Sequence, residues 1–447
     1  MKILALIDGE HYPPVTEDAL KAVEGDVVAA VFLGGTEKIG SIEELTTRLD
    51  IPVYEGEESR DILDVIAEAC STHEIEQVID LSDEPVLTYV SRLRLACTLM
   101  REGVQYRGSD FLFTPPHYPR ILRQPSLSVV GTAKRVGKTA FSGYVARTLR
   151  TSGYTPCIVT MGRGGPAQPE IIRGDTIQLT PSYLMEQANR GKHAASDHWE
   201  NALISRVMTV GCRRCGGGMA GVPFSSNVEE GARLANTLAA TFVILEGSGI
   251  TFPPVDTNRC IVIVGAHQPL EFINEYFGPF RILMADLLIL MMCEEPMASQ
   301  QKVAEIQKAI DEIKPGLPQA HCVFRPVPLA DVSDRKIFLA TTAPPAILES
   351  TLVPYLEQNY HCDIVKASPH LSNRPRLRKD LEQFLPQVDT LLTEIKASAI
   401  DVATREALAL HRDVVFMDNV PKVVGGTVTC LEDAIIQLAK EAEEEVA

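Results

Sequence analysis

Lys138 and Thr139 stand at the end of a glycine-containing loop, Gly131-Thr132-Ala133-Lys134-Arg135-Val136-Gly137. An apolar run precedes the loop, and a segment with Phe141, Tyr144, Val145 and Leu149 on one face follows it. Strand, loop, Gly-Lys-Thr and helix is the order a phosphate-binding loop requires. Backbone N–H groups of such a loop, through Ala140 in the first helical turn, point at phosphate oxygens, and the helix dipole favours negative charge there. Lys138 is then expected at the β- and γ-phosphates, and the Thr139 hydroxyl on Mg²⁺. The strict pattern asks for glycine where Thr132 stands; Gly131 comes one residue early.

Spelled Gly-Thr-x-x-x-Val-Gly-Lys-Thr, the loop resembles that of dethiobiotin synthetase and its relatives among the dimerising P-loop proteins. The resemblance implies two further groups. Arg163, in Gly162-Arg-Gly-Gly-Pro166, stands where those proteins carry a cation for the γ-phosphate. Glu246, in Leu245-Glu-Gly-Ser-Gly249, matches their acidic strand end and is expected to ligate Mg²⁺ directly or through water. Asp175, in Arg173-Gly-Asp, is the candidate second carboxylate.

Basic residues concentrate between Arg190 and Gly221: Lys192, His193, Arg206, Arg213 and Arg214. Paired guanidinium groups beside Gly216-Gly217-Gly218 suit a phosphate or carboxylate pocket, because planar forks and unhindered backbone amides both favour anions. Cys212-x-x-Cys215 has no second pair at zinc-site spacing, so turn geometry is the expectation, with a four-thiolate site shared across a dimer left open. Glu10 and His11 follow the first apolar run, with Asp8 and Tyr12. They could face a substrate or simply form a polar βα turn.

Positioning these groups falls to short apolar runs alternating with helical patterns. Expected strands are Ile3–Ile7, Val27–Leu33, Gln77–Leu81, Leu127–Val130, Ile158–Met161, Phe242–Leu245, Cys260–Val264, Leu287–Met291, Lys336–Ala340, Asp363–Lys366 and Val414–Met417. Continuously apolar strands of this kind predict an α/β fold with a mostly parallel sheet. The stretch 114–125, with four prolines, reads as a linker. It divides a smaller N-terminal α/β domain, 1–120, from a P-loop core, 121–447. Whether the last hundred or so residues complete the core sheet or form a lobe stays open. Glu441–Glu445 reads as a solvated acidic tail.

With 447 residues, 45% hydrophobic and 23% charged, the composition is globular and excludes a disordered tail or a coiled coil. A net charge of −17 argues against nucleic acid or anionic membrane as partners, so any anionic ligand needs a local basic pocket. The start at Met1 lacks signal-peptide architecture, and ten scattered cysteines suggest a reducing compartment, so a cytoplasmic location is expected.

Taken together, IDGEHYPPV, FLGGTEKI, YRGSDFLFTPP, GTAKRVGKTA, GRGGP, GKHAASDHWENA, GCRRCGGGMAG, LEGSG, MCEEP and LSNRP resemble the cyclic 2,3-diphosphoglycerate synthetase family over most of the chain. That resemblance implies ATP-dependent closure of 2,3-diphosphoglycerate to its cyclic pyrophosphate, with Mg²⁺ required and potassium as a further cation. A homodimer is the implied assembly. Two other readings stand beside it. One is an ATP-dependent carboxylate ligase of the dethiobiotin synthetase type. The other is a GTP-driven metallochaperone or switch using Cys212 and Cys215, disfavoured by Met292-Cys-Glu-Glu-Pro296 where a guanine signature would stand.

Overall fold

The computed structural model describes residues 1–35, 37–39, 41–56 and 61–446, so Thr36 of the FLGGTEKI segment lies outside the described residues. The chain forms two compact units, Met1–His117 with Leu270–Met284, and Tyr118–Pro269 with everything from Ala285 on.

In the first unit, β1 (Lys2–Ile7), β2 (Asp26–Phe32), β3 (Val53–Glu55), β4 (Gln77–Asp80), β5 (Gln105–Arg107) and β6 (Leu112–Phe113) form one sheet in the order β3-β2-β1-β4-β5-β6. All neighbours are parallel except β5 and β6. The first strand is buried from Ile3 to Ile7, as a central strand covered on both faces must be. Its neighbours β2 and β4 lie on either side, which makes the carboxyl end of β1 a topological switch point. Asp80, at the end of β4, accepts hydrogen bonds from Arg92 at 2.8 Å and from the Tyr106 hydroxyl at 2.6 Å. The helices Glu271–Asn274 and Gly278–Leu283 belong to this unit, with the Phe277 ring 5.4 Å from that of Phe113.

The second unit holds β7 (Ser126–Gly131), β8 (Pro156–Gly162), β9 (Glu170–Arg173), β10 (Met208–Cys215), β11 (Ser225–Ser226), β12 (Phe242–Glu246), β13 (Arg259–Gly265), β14 (Leu287–Met291) and β15 (Gln319–Pro328). It continues through β16 (Lys336–Ala340), β17 (Asp363–Ser368), β18 (Thr390–Thr393) and β19 (Asp413–Gly426). The sheet runs β11-β10-β8-β12-β7-β13-β14-β15-β19-β18-β16-β17, with β9 antiparallel on β10. From β10 to β15 the strands are parallel, so their carboxyl ends share one edge. The last hundred residues therefore complete this sheet. Strand β19 makes the join: 413–416 pair in parallel with β18, and 417–426 pair antiparallel with β15.

Residues 114–125 carry neither helix nor strand, and their second half is tied to this unit by Arg120–Asp256 at 2.8 Å. The acidic end is not a free tail. It lies in the helix Leu431–Val446, where Glu441 and Glu445 pair with Arg259 and Glu443 accepts from Tyr154. The opposite face of that helix packs Ile435 and Leu438 into the core shared with Phe141, Val145 and Leu149 of the helix Lys138–Thr151. Phe141 is fully buried there. Phe141→Ala should lower the unfolding free energy of this unit by about 3–5 kcal/mol, through lost transfer energy and an unfilled cavity. Urea unfolding measures it, and a loss under about 1 kcal/mol would contradict this packing.

Candidate active site

Loop 131–137 leaves the carboxyl end of β7, flanked by β12 and β13. Gly137 caps the helix Lys138–Thr151 with φ +92°, and a Cβ there would lie 2.2 Å from the Phe324 ring, so only glycine fits. Thr132, standing where a glycine was expected, turns its hydroxyl to Gln268 Oε1 and its N–H to Ile263 O. Gly131 fills the other requirement: a Cβ on it would come within 3.1 Å of Lys138 Nζ. Lys138 is 8% exposed and donates to Ala133 O at 2.8 Å. Burial pushes its pKa down to about 8, against the pull of Glu246 and Asp197.

Glu246, at the end of β12, is buried and receives the Thr139 hydroxyl at 2.6 Å and an Asn201 amide N–H. Desolvation, with Asp197 nearby, pushes its pKa up to about 8. Asp197 opens the helix Asp197–Ser205 against Gly162 at the end of β8. Desolvation raises its pKa as well, opposed by Lys138, Lys396, Arg163 and His193. Two carboxylates and a threonine hydroxyl are hard oxygen donors for a divalent cation, with further positions left to water or phosphate.

Gly249, with φ +64°, has Arg163 and Arg214 close beside it: a Cβ there would lie 2.4 Å from Arg163 Nη2 and 3.3 Å from Arg214 Nη2. Arg214 is anchored to Ser248 O at 2.7 Å, and desolvation with Arg163 nearby lowers its pKa. Two guanidinium groups converging this way suit an anion. Lys138, Thr139, Arg163, Asp197 and Glu246 open on a cavity of about 720 Å³, lined also by Lys134, Arg135, Met292, Phe324 and, from the C-terminal strands, Thr342, Glu394, Lys396 and Asn419.

The structure thus brings together Gly131 to Ala140, Arg163, His193, Arg214 and Glu246. Four expected residues of this unit stand elsewhere. Strand alternation turns Arg213 to the face opposite Arg214, where it is exposed. Arg206 ends the helix that Asp197 begins, about 13 Å along it by helical rise. Lys192 is paired with Glu170 and lies over the Trp199 ring. Asp175 pairs with Arg173, beside Met208 at the amino end of β10, because β9 runs back down the sheet. It is therefore at the wrong edge to share a cation with Thr139 and Glu246. Glu10 and His11 follow β1 in the other unit, with His11 Nδ1 2.7 Å from Asp8 Oδ1. Cys212 and Cys215 lie on β10 itself, not in a turn, with Cys212 buried and Cys215 exposed. Asp197, Glu394 and Lys396 escaped the sequence reading. Ser196-Asp197 before a helical run was the available signal for the first.

Comparison with known proteins matches this chain to three family models, all described as cyclic 2,3-diphosphoglycerate synthetase: its N-terminal domain over 2–114, its P-loop domain over 126–323 and its C-terminal domain over 328–420. The chain belongs to the cyclic 2,3-diphosphoglycerate synthetase family. Cyclic 2,3-diphosphoglycerate synthetase of Methanothermus fervidus is 50% identical over 99% of this chain and 97% of its own length. That of Methanothermobacter thermautotrophicus is 50% identical over 98% and 96%, and that of Rubrobacter xylanophilus 46% over 99% and 98%. Among solved structures, LpxK from Aquifex aeolicus with ATP aligns at a TM-score of 0.41 and 15% identity, over 73% of this chain and 90% of that one. The family's P-loop segment thus contains Lys138, Asp197 and Glu246, and its C-terminal segment contains Lys396.

A divalent cation held by Glu246 would compete with protons, because desolvation pushes that carboxyl's pKa up to about 8. Mn²⁺ affinity, read by electron paramagnetic resonance, should rise about tenfold per pH unit up to about pH 8 and then level off. Glu246→Gln should bind weakly at every pH. A flat wild-type profile would remove this carboxylate from the cation's shell.

Proposed function

We propose that this protein closes 2,3-diphosphoglycerate into cyclic 2,3-diphosphoglycerate at the cost of ATP, releasing ADP and phosphate, and so is an ATP-dependent ligase. The carrying observation is one cavity that joins the phosphate loop to an acid pair and converging cations, in a chain that matches the family along its whole length. A dense diphosphate can enter so acidic a protein only where cations are focused.

Lys138 gives up Ala133 O for the β- and γ-phosphates, and the loop amides hold the rest of the chain of phosphates. Arg163 and Arg214 take the γ-phosphate oxygens, neutralising charge that builds as the phosphoryl group moves. Thr139, Glu246 and Asp197 are the residues that would hold Mg²⁺, which when bound would neutralise β- and γ-oxygens. One substrate phosphate oxygen attacks the γ-phosphorus, and the bond to ADP breaks. The other substrate phosphate then attacks the activated substrate phosphorus and expels inorganic phosphate. Ring closure is intramolecular, so holding both phosphates in line supplies much of the acceleration. His193 lines the cavity and serves the substrate side. We further propose that the enzyme works as a cytoplasmic homodimer, in keeping with the dimerising P-loop proteins its loop resembles.

Lys138→Ala should abolish turnover with the fold retained, as circular dichroism can verify. The course of oxygen tests the chemistry directly. With heavy oxygen in all non-bridging positions of both substrate phosphates, each released phosphate should carry one heavy atom, the former bridge. Hydrolysis by water, as in a nucleotide switch, would release unlabelled phosphate. Mass spectrometry finding unlabelled phosphate beside cyclic product would sink the mechanism. A carboxylate ligase would give no cyclic product from 2,3-diphosphoglycerate in the same assay.

A further inference from the structure

Nothing above gives a task to the C-terminal side of the cavity, where Lys396 stands just beyond β18. Its ammonium lies 3.2 Å from Glu200 Oε1, and its side chain is 30% exposed while that of Glu200 is 4% exposed. Lysine has three donors, and this contact uses one. Among the described residues Glu200 Oε2 is buried without a hydrogen-bond partner, so the carboxylate is satisfied through one oxygen only. Glu394, the next carboxylate along, is already committed to Thr341, Thr342 and Asn419 at 2.9–3.3 Å.

The cation inventory narrows the choice. Two phosphate groups on adjacent carbons need positive charge on both sides of the transfer, and Lys138 with Arg163 serves the nucleotide. Lys192 is tied to Glu170, and Arg213 faces the other side of its strand. Lys134 and Arg135 lie on the phosphate loop, and Arg374 of the neighbouring recess is paired with Asp401. Among the cavity-lining cations beyond the phosphate loop and Arg163, that leaves Lys396 and His193, and Asp197 feels Lys138, Lys396 and His193 together. A neighbouring open recess of about 510 Å³ shares His193, Ser372 and Ala397 with the cavity, giving a small anion a way in beside Lys396.

We propose that Lys396, with His193, holds the substrate phosphate that is not receiving the γ-phosphoryl group, while Glu200 keeps Lys396 in place as a counter-ion until substrate arrives. This rests on the reading that the substrate is a vicinal diphosphate. Glu200 suits the part: burial raises its pKa, while Lys396 beside it favours its charged form, so it can take a proton when its lysine turns to phosphate.

The test compares Lys396→Met, Glu200→Gln and the double variant K396Q/E200Q in the full-length protein. Isothermal titration calorimetry reads the affinities for 2,3-diphosphoglycerate and ATP, and ³¹P NMR reads cyclic product. Losing a charge-assisted contact should weaken diphosphoglycerate binding about ten- to a hundredfold, with ATP affinity held within about twofold. Glu200→Gln should shift the other way and bind diphosphoglycerate more tightly, since it frees the lysine. A merely structural pair would damage both variants alike and both ligands together. The double variant leaves no buried charge unpaired, so it should fold even where Lys396→Met does not, and it should still bind diphosphoglycerate weakly. Wild-type affinity in the double variant, or weaker binding in Glu200→Gln, would overturn the proposal. Wild-type protein that binds diphosphoglycerate yet makes no cyclic product would sink the catalytic reading alone, because the binding comparison stands without turnover.

Discussion

An ammonium group at the bottom of a cavity, 8% exposed and next to a buried carboxylate, is the constraint around which this protein is arranged. Desolvation works against both charges, driving Lys138 down and Glu246 up until each lies near neutrality. Left alone, such a pair gains little, since removing two ions from water costs about what their attraction returns. Phosphate and a divalent cation would reverse that balance, because each would bring the opposite charge to the group that lacks it. The cost of burial in the free protein would thus become selectivity for a ligand that carries both.

The remaining architecture holds that pair and adds to it. Parallel strands bring the phosphate loop, Glu246 and Asp197 to one edge, where ligands of open α/β sheets bind. Strand β19 does what no helix could, pairing with β15 at one end and β18 at the other. Through that join the C-terminal strands end at the same cavity and bring in Thr342, Glu394 and Lys396. One continuous sheet, rather than a hinge, fixes the distance between the two groups of charges.

All eleven expected strands are present, because most are apolar runs and burial on both faces leaves that trace in sequence, while the edge strand Asp363–Ser368 is only partly buried. The missed ones have more than one cause. Strand β10 ends in Cys-Arg-Arg-Cys, and β15 carries Pro326 and Pro328, so polar or proline-bearing ends hid extended backbone. Strand β18 has only four residues. Missing β18 meant missing Glu394 and Lys396, since residues just past a strand's carboxyl end are candidates only once the strand is known. The phosphate loop was legible for the opposite reason: its chemistry depends on local backbone, which a short contiguous motif encodes.

Arg213 and Arg214 show where local reading stops. Adjacent in sequence and identical in type, they suggest a paired anion clamp if the backbone is a turn. On a strand their side chains must leave opposite faces. Arg214 then joins Arg163 over Gly249, a partner 51 residues away by numbering that no spacing rule would have chosen. The same alternation separates Cys212, buried beneath Gly231, from exposed Cys215, so within one chain the two thiols cannot share an ion. A single fact about backbone conformation therefore dissolves one inferred pair of cations, builds another, and removes the chemical basis for reading the cysteines as a metal-handling motif.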